Sequence, residues 1–241
     1  MTEAILLASI AFLGALIFGT TGFGAALISI PLASHFVPLQ FALALFALVD
    51  LTMALRVGLE NPKGAVRAEW RRLVPMILAG TVLGVTLLVN LPRQAALLFL
   101  GLFVVSYSVY ALMRHDMHKV ISVHWAWLAG LAGGVASAVF GSGGPPYVIY
   151  LSQRGLDKAQ FRATLGLTIL TSISLRVVAF LITGLLLDPK VWLTALVVVP
   201  GAFLGITVAR KIFLKISREA LMRAVAILLF FSGGSLILRA F

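Results

Sequence analysis

Two stretches decide how this chain is read: Gly19-Thr20-Thr21-Gly22-Phe23-Gly24 and Gly141-Ser142-Gly143-Gly144-Pro145-Pro146. Each interrupts a strongly apolar region. Each leads into an apolar run, 25–36 or 145–153, that is too short to span a bilayer. Glycine ends a helix through backbone freedom and proline through its missing N–H. A transmembrane helix needs roughly 20 apolar residues. The other apolar stretches, 3–18, 38–59, 73–90, 93–113, 124–140, 163–187, 191–209 and 219–240, mostly approach that length. The two breaks therefore predict two helical hairpins set among full-length spans.

Composition agrees. Of 241 residues, 61 % are apolar and 11 % charged, and the mean hydropathy is +1.09. A soluble domain carries roughly 45–50 % apolar and about 25 % charged residues. A soluble enzyme, a disordered chain and a disulfide scaffold are excluded, the last because there is no cysteine. Strands of alternating polarity are absent, so the spans are expected to be helices. The first apolar stretch has no basic residues before it and no cleavage signal, and is read as a retained helix.

The net charge of +11 in a soluble protein would suggest nucleic acid. Here its distribution assigns sides instead. Segments 56–72, 114–124, 154–162 and 210–223 hold fifteen Lys and Arg, whereas the remaining loops hold only Arg93, Lys190 and Arg239. Basic loops stay in the cytoplasm. On this assignment 124–153 starts and finishes inside, 3–36 starts and finishes outside, and both termini are extracytoplasmic. The expected architecture is an all-α polytopic membrane protein built from two inverted repeats. Each is a glycine-broken helical hairpin followed by three transmembrane helices. Residues 1–113 form the first repeat, 114–123 a cytoplasmic linker and 124–241 the second repeat.

Weak internal similarity supports the duplication. Gly22-Phe23-Gly24 through Ile30-Pro31-Leu32 lies over Gly141-Ser142-Gly143 through Ile149-Tyr150-Leu151, and Gly80-Thr81-Val82-Leu83-Gly84 over Gly201-Ala202-Phe203-Leu204-Gly205. Leu91-Pro92-Arg93 lies over Ile216-Ser217-Arg218. Interrupted segments at matching places in two halves point to a transporter's binding site.

The two motifs, Gly22-Phe23-Gly24-Ala25-Ala26-Leu27-Ile28-Ser29-Ile30-Pro31-Leu32 and Gly141-Ser142-Gly143-Gly144-Pro145-Pro146-Tyr147-Val148-Ile149-Tyr150-Leu151, resemble the paired glycine-rich signatures of the TauE/SafE sulfite exporter family. Length and the two halves extend the resemblance to nearly the whole chain. It implies a multi-pass transporter of the bacterial inner membrane, carrying small sulfur-containing anions such as sulfite or short organosulfonates, in the export direction. Ala25 and Ala26 stand where the pattern has glycines, as does Pro145, and Tyr150 is the counterpart of Pro31.

The residues themselves suggest how an anion is held. A helix that starts after a break presents unpaired N–H groups and a positive dipole end, which bind anions without a cationic side chain. Gly22, Phe23 and Gly24 would serve in the first break. In the second, Gly143, Gly144, Tyr147 and the hydroxyl of Ser142 would serve, because Pro145 and Pro146 donate nothing. Tight hairpin packing would also use glycines, but two breaks in matching places favour the anion site.

Two ionisable residues fall near the middle of spans, Asp50 and Arg176. A charge there costs at least about 2.5–3.5 kcal/mol, so a partner or a cavity is expected. One reading is a structural ion pair joining the halves. The other gives Arg176 to the anion and Asp50 to proton coupling. Thr164, Thr168, Thr171, Ser172 and Arg176 recur at i, i+4, i+7, i+8 and i+12, an arc of about 140° on one helix face, so Thr168, Thr171 and Ser172 join the candidate lining. Ser and Thr also bond between helices. Arg56 reads as a topology anchor with Glu60 as its partner, and the tryptophans read as an interfacial belt. His115-Asp116-Met117-His118 lacks a ligand spacing and a third partner, so no metal is expected.

The expected function is secondary transport of a small anion, with the lipid bilayer and coupled protons as the other partners. No enzyme activity, cofactor or nucleic acid is expected, and a homo-oligomer is allowed. An anion channel or another small-anion permease stays open as an alternative. So, more remotely, does an intramembrane serine hydrolase built on Ser142, for which no base lies at midplane depth.

Overall fold

A computed structural model describes residues 2–22, 24–113, 120–212 and 218–239. It is all-helical there. The helices are α1 (Thr2–Thr21), α2 (Ala25–Ala33), α3 (Leu39–Gly58), α4 (Arg67–Asn90), α5 (Arg93–Met113), α6 (Trp125–Phe140), α7 (Gly144–Ser152), α8 (Lys158–Ile182), α9 (Pro189–Ile212) and α10 (Arg218–Arg239). A single 3-10 turn, Pro62–Gly64, lies between α3 and α4.

The helix ends follow from local sequence. Gly22 and Gly24 stand at φ +80° and +90°, and Gly141 at +74°, where a side chain would be strained. They end α1, start α2 and end α6 as the glycine breaks imply. Asp157 caps α8 by accepting from the N–H groups of Ala159 and Gln160, while the Gln160 side chain accepts from the Asp157 N–H, a reciprocal capping box.

Helices α3, α4, α8 and Pro189–Ala209 of α9 are long and apolar enough to cross a membrane, and α1, α5, α6 and α10 carry shorter apolar stretches. Leu78, Val82, Leu83 and Leu87 of α4 and Leu193, Leu196 and Leu204 of α9 face outward, a surface suited to lipid and not to water. The protein is a polytopic helical membrane protein.

Small residues bring particular helices together. α4 packs along α6, α9 along α1, α5 along α10, and α3 against α8. A Cβ at Gly80 or Gly84 of α4 would collide with the Leu131 or Val135 carbonyl of α6, and one at Gly130 or Gly134 with the Leu73 or Ile77 carbonyl of α4. Gly201 and Gly205 of α9 meet the Ala8 and Phe12 carbonyls of α1 in the same way. Without a hydrophobic drive between helices in lipid, backbone approach through small residues is the main source of contact energy.

The segments 56–72, 120–124 and 154–162 gather on one face. Glu60 pairs with Arg162 at 3.4 Å, the Val66 N–H donates to Thr164 Oγ1 at 2.9 Å, and Arg154 bonds both Glu69 and the Ile121 carbonyl. At the opposite face Glu3, Val37, Pro38, Asp188 and Lys190 border one cleft. The α1–α2 pair thus leaves and returns to one face and the α6–α7 pair to the other. Residues 114–119, with the His115–His118 cluster, lie outside the described residues.

Candidate substrate site

The two glycine breaks meet. Gly141 abuts Ala26 and Ile30 of α2 so closely that a Cβ there would overlap Ile30 Cδ1. Between them lies a narrow cleft, bordered by Gly24, Ala25 and Ala26 of the first break, Gly141 to Gly144 and Tyr147 of the second, Asp50 of α3, and Ser172 of α8. Within it Tyr147 Oη and Ser172 Oγ are hydrogen-bonded at 3.0 Å. The Tyr147 ring packs over Gly133, where a Cβ would occupy the ring's own space.

Arg176 and Asp50 form the buried ion pair that one sequence reading anticipated. Arg176 Nη2 donates to Asp50 Oδ2 at 2.8 Å, and the arginine is 0 % exposed. Its Nη1 donates to the carbonyls of Ser137 at 3.2 Å and Gly141 at 2.5 Å. These carbonyls close the last turn of α6, where acceptors lack intrahelical partners and the dipole is negative. One guanidinium thus caps α6 and neutralises Asp50. Asp50 Oδ1 and Arg176 Nε are buried with no hydrogen-bond partner, and Asp50 borders the cleft while Arg176 sits behind it.

Of the candidate residues, Gly24, Ser142, Gly143, Gly144, Tyr147, Ser172 and Asp50 come together at the cleft. Gly22 lies at the end of α1 and donates to the Phe18 carbonyl. Phe23 is outside the described residues. The polar stripe on α8 divides. Thr168 donates to the Thr164 carbonyl, and Thr171 donates to Leu167 while accepting from the Trp70 indole at 3.0 Å. An arc of about 140° on one helix is wide enough to face two neighbours, and here part of it faces α4.

The structure adds a polar cluster that the sequence reading passed over. Glu69, 5 % exposed, lies in the first turn of α4. Its Oε1 accepts from Arg72 Nη1 at 2.8 Å and from Arg154 Nε and Nη2 at 3.1 and 3.0 Å, and its Oε2 from the Tyr150 hydroxyl. The hydrogen-bonded Glu69 carboxylate pushes the Arg154 guanidinium above its ordinary pKa. A signal was present: Glu69 stands within the basic run Arg67 to Arg72, flanked by three arginines.

Broken helices meeting in an apolar bundle around a buried charge pair define a membrane transporter. The chain matches the sulfite exporter TauE/SafE family over residues 7–236 and belongs to it; members of this family are membrane transporters, not enzymes. A similar protein is the "Probable inner membrane transporter protein TsaS" of Comamonas testosteroni, 26 % identical over 175 residues, which are 70 % of this chain and 73 % of that protein. No solved structure matches the chain significantly.

Proposed function

We propose that this transporter exports small sulfur-containing oxyanions, such as sulfite or short organosulfonates, across the bacterial inner membrane, each accompanied by a proton. The observation that carries the reading is the meeting of both glycine breaks at one cleft that borders the Asp50–Arg176 pair. The family and the relative's inner-membrane description support the substrate class and the location. The N–H groups that open α7, with Ser142, Tyr147 and Ser172, take the anion's oxygens, and Gly24 lets the start of α2 approach from the other side. Arg176 supplies positive charge at the same depth.

Coupling follows from competition. In the pair as it stands, the Asp50 carboxylate holds Arg176 Nη2. Protonation of Asp50 removes its claim on the guanidinium and leaves an uncompensated positive charge beside the cleft, which an oxyanion can neutralise. Loss of the proton restores the pair and expels the anion. One proton then accompanies one anion.

The face that carries the loops 56–72, 120–124 and 154–162 is cytoplasmic on this reading, and both termini are extracytoplasmic. Residues 1–113 and 124–241 are inverted repeats. Their exchange maps α4 on α6 onto α9 on α1, and returns α3 on α8 and α5 on α10 to themselves, which is the pairing found here.

Purified protein in liposomes tests the proposal with sulfite, sulfate, sulfoacetate, chloride and nitrate as substrates. Saturable uptake of the sulfur oxyanions, driven by an imposed proton gradient, is expected. Equal conductance for chloride and nitrate, without saturation, would make the protein a channel.

A further inference from the structure

Away from the cleft, the Glu69 cluster carries more positive charge than one carboxylate neutralises. Two guanidinium groups and a phenol converge on Glu69, leaving one positive charge in excess. Arginine forks with a hydroxyl at their side are the recognition set for an oxyanion, and they accept carboxylate, sulfonate or sulfite oxygens alike. The partners also come from different parts of the fold. Glu69 and Arg72 belong to α4, Tyr150 to the last turns of α7, and Arg154 to the loop after α7. Arg154 also donates to the Ile121 carbonyl ahead of α6.

We propose that Arg72, Tyr150 and Arg154 form a second oxyanion site at the loop face of the bundle, which Glu69 fills here as a built-in ligand and which an arriving oxyanion takes over by displacing it. The site ties α4 to α7, and α7 is the helix whose other end borders the cleft, at Tyr147. Pulling Glu69 away with nothing in its place strands a desolvated carboxylate and its donors together, a costly event. Exchange for an external oxyanion keeps Arg72, Arg154 and Tyr150 satisfied and lets Glu69 swing toward water. Opening at this face is thereby conditional on an anion being present, which limits leak through an empty transporter. The choice of sulfur oxyanions as the natural ligand rests on the transport reading above; the site itself rests only on the cluster.

Trp70 supplies the reporter. It follows Glu69 in the chain, and its indole N–H is bonded to Thr171 on α8. The chain has four tryptophans, so replacing Trp125, Trp127 and Trp192 by Phe leaves Trp70 as the sole emitter. The full-length protein in detergent is titrated with sodium sulfite and sodium sulfate, with sodium chloride as the ionic-strength control. A saturable change in Trp70 emission is expected with the oxyanions. Glu69→Gln weakens the internal competitor and should tighten binding about tenfold, the scale of one charge-assisted hydrogen bond. Arg154→Gln should abolish the response, and Arg72→Gln, at a half-exposed position, should weaken it severalfold. If Glu69→Gln does not fold, Glu69→Asp serves in its place, with a smaller tightening. Ser142→Ala should leave the Trp70 titration unchanged, because it alters the cleft alone. Unchanged or weaker binding in the Glu69 variants, an intact response in Arg154→Gln, or loss of the response in Ser142→Ala overturns the proposal. Failure of Ser142→Ala to affect transport would count against the cleft and not against this site.

Discussion

Arg176→Leu is the most informative single change. It removes three donated hydrogen bonds, one to Asp50 and two to the carbonyls that end α6. Asp50, 3 % exposed, is left as a charge without a partner, and breaking a buried pair from one side costs about 3–5 kcal/mol. Asp50→Leu alone strands Arg176 in the same way, although the α6 cap survives, so its loss should fall at the lower end of that range. The double leucine variant removes both charges. What remains is two buried carbonyls without a donor, at about 1–3 kcal/mol each before relaxation. The double variant should therefore be at least as stable as Arg176→Leu alone, and the cycle should show a positive coupling of about 0.5–3 kcal/mol. Reversible denaturation in detergent measures the stabilities, and proteoliposome uptake measures function. A folded double variant without transport is the expected result. Full transport by the double variant would refute the roles given to Arg176 and Asp50 and leave them as a structural pair.

Other changes separate the parts of the argument. Asp50→Asn should spare oxyanion binding while removing the pH dependence of transport, read as uptake against external pH. Arg176→Lys keeps the charge but loses the fork, and uptake should fall even where the protein folds. Ser142→Ala should weaken binding by about 0.5–1.5 kcal/mol, one net hydrogen bond, measured by substrate-induced thermal stabilisation. Gly141→Ala places a Cβ at positive φ and against Ile30; strain of about 1–2 kcal/mol and overpacking of about 1–3 kcal/mol should lower the unfolding temperature and disrupt the cleft. Arg67→Cys should resist an impermeant thiol reagent in intact cells and react after permeabilisation, since the basic loops are assigned to the cytoplasm.

What was legible in the sequence is local or repeats with a fixed rhythm. Gly22, Gly24 and Gly141 announce chain reversals because only glycine rests easily at their φ values. Asp50 and Arg176 stand out because a charge within an apolar run is expensive, and they meet because each relieves the other's cost. The Glu69 cluster was not legible in that way. Its charges sit in a basic loop and in the first turns of α4, where the topology rule already explained them, and only the folded bundle, which brings Tyr150 and Arg154 onto Glu69, turns it from a solvated acid into a buried one. The α8 stripe misled in part for the same reason. Helical spacing says which residues share a face but not which neighbour that face meets, and Thr171 meets Trp70.

The glycine seams also determine which helices travel together. α4 and α6 touch backbone to backbone, and so do α1 and α9, while α1 and α4 precede the stretch 114–119 and α6 and α9 follow it. The two tightest blocks are therefore each stitched from both ends of the chain. Severing the polypeptide within 114–119 would release no independent module, since each fragment would carry half of each seam and bare carbonyl-lined grooves toward lipid. The fragments should seek each other out and restore the bundle, with covalent continuity contributing effective concentration and not architecture.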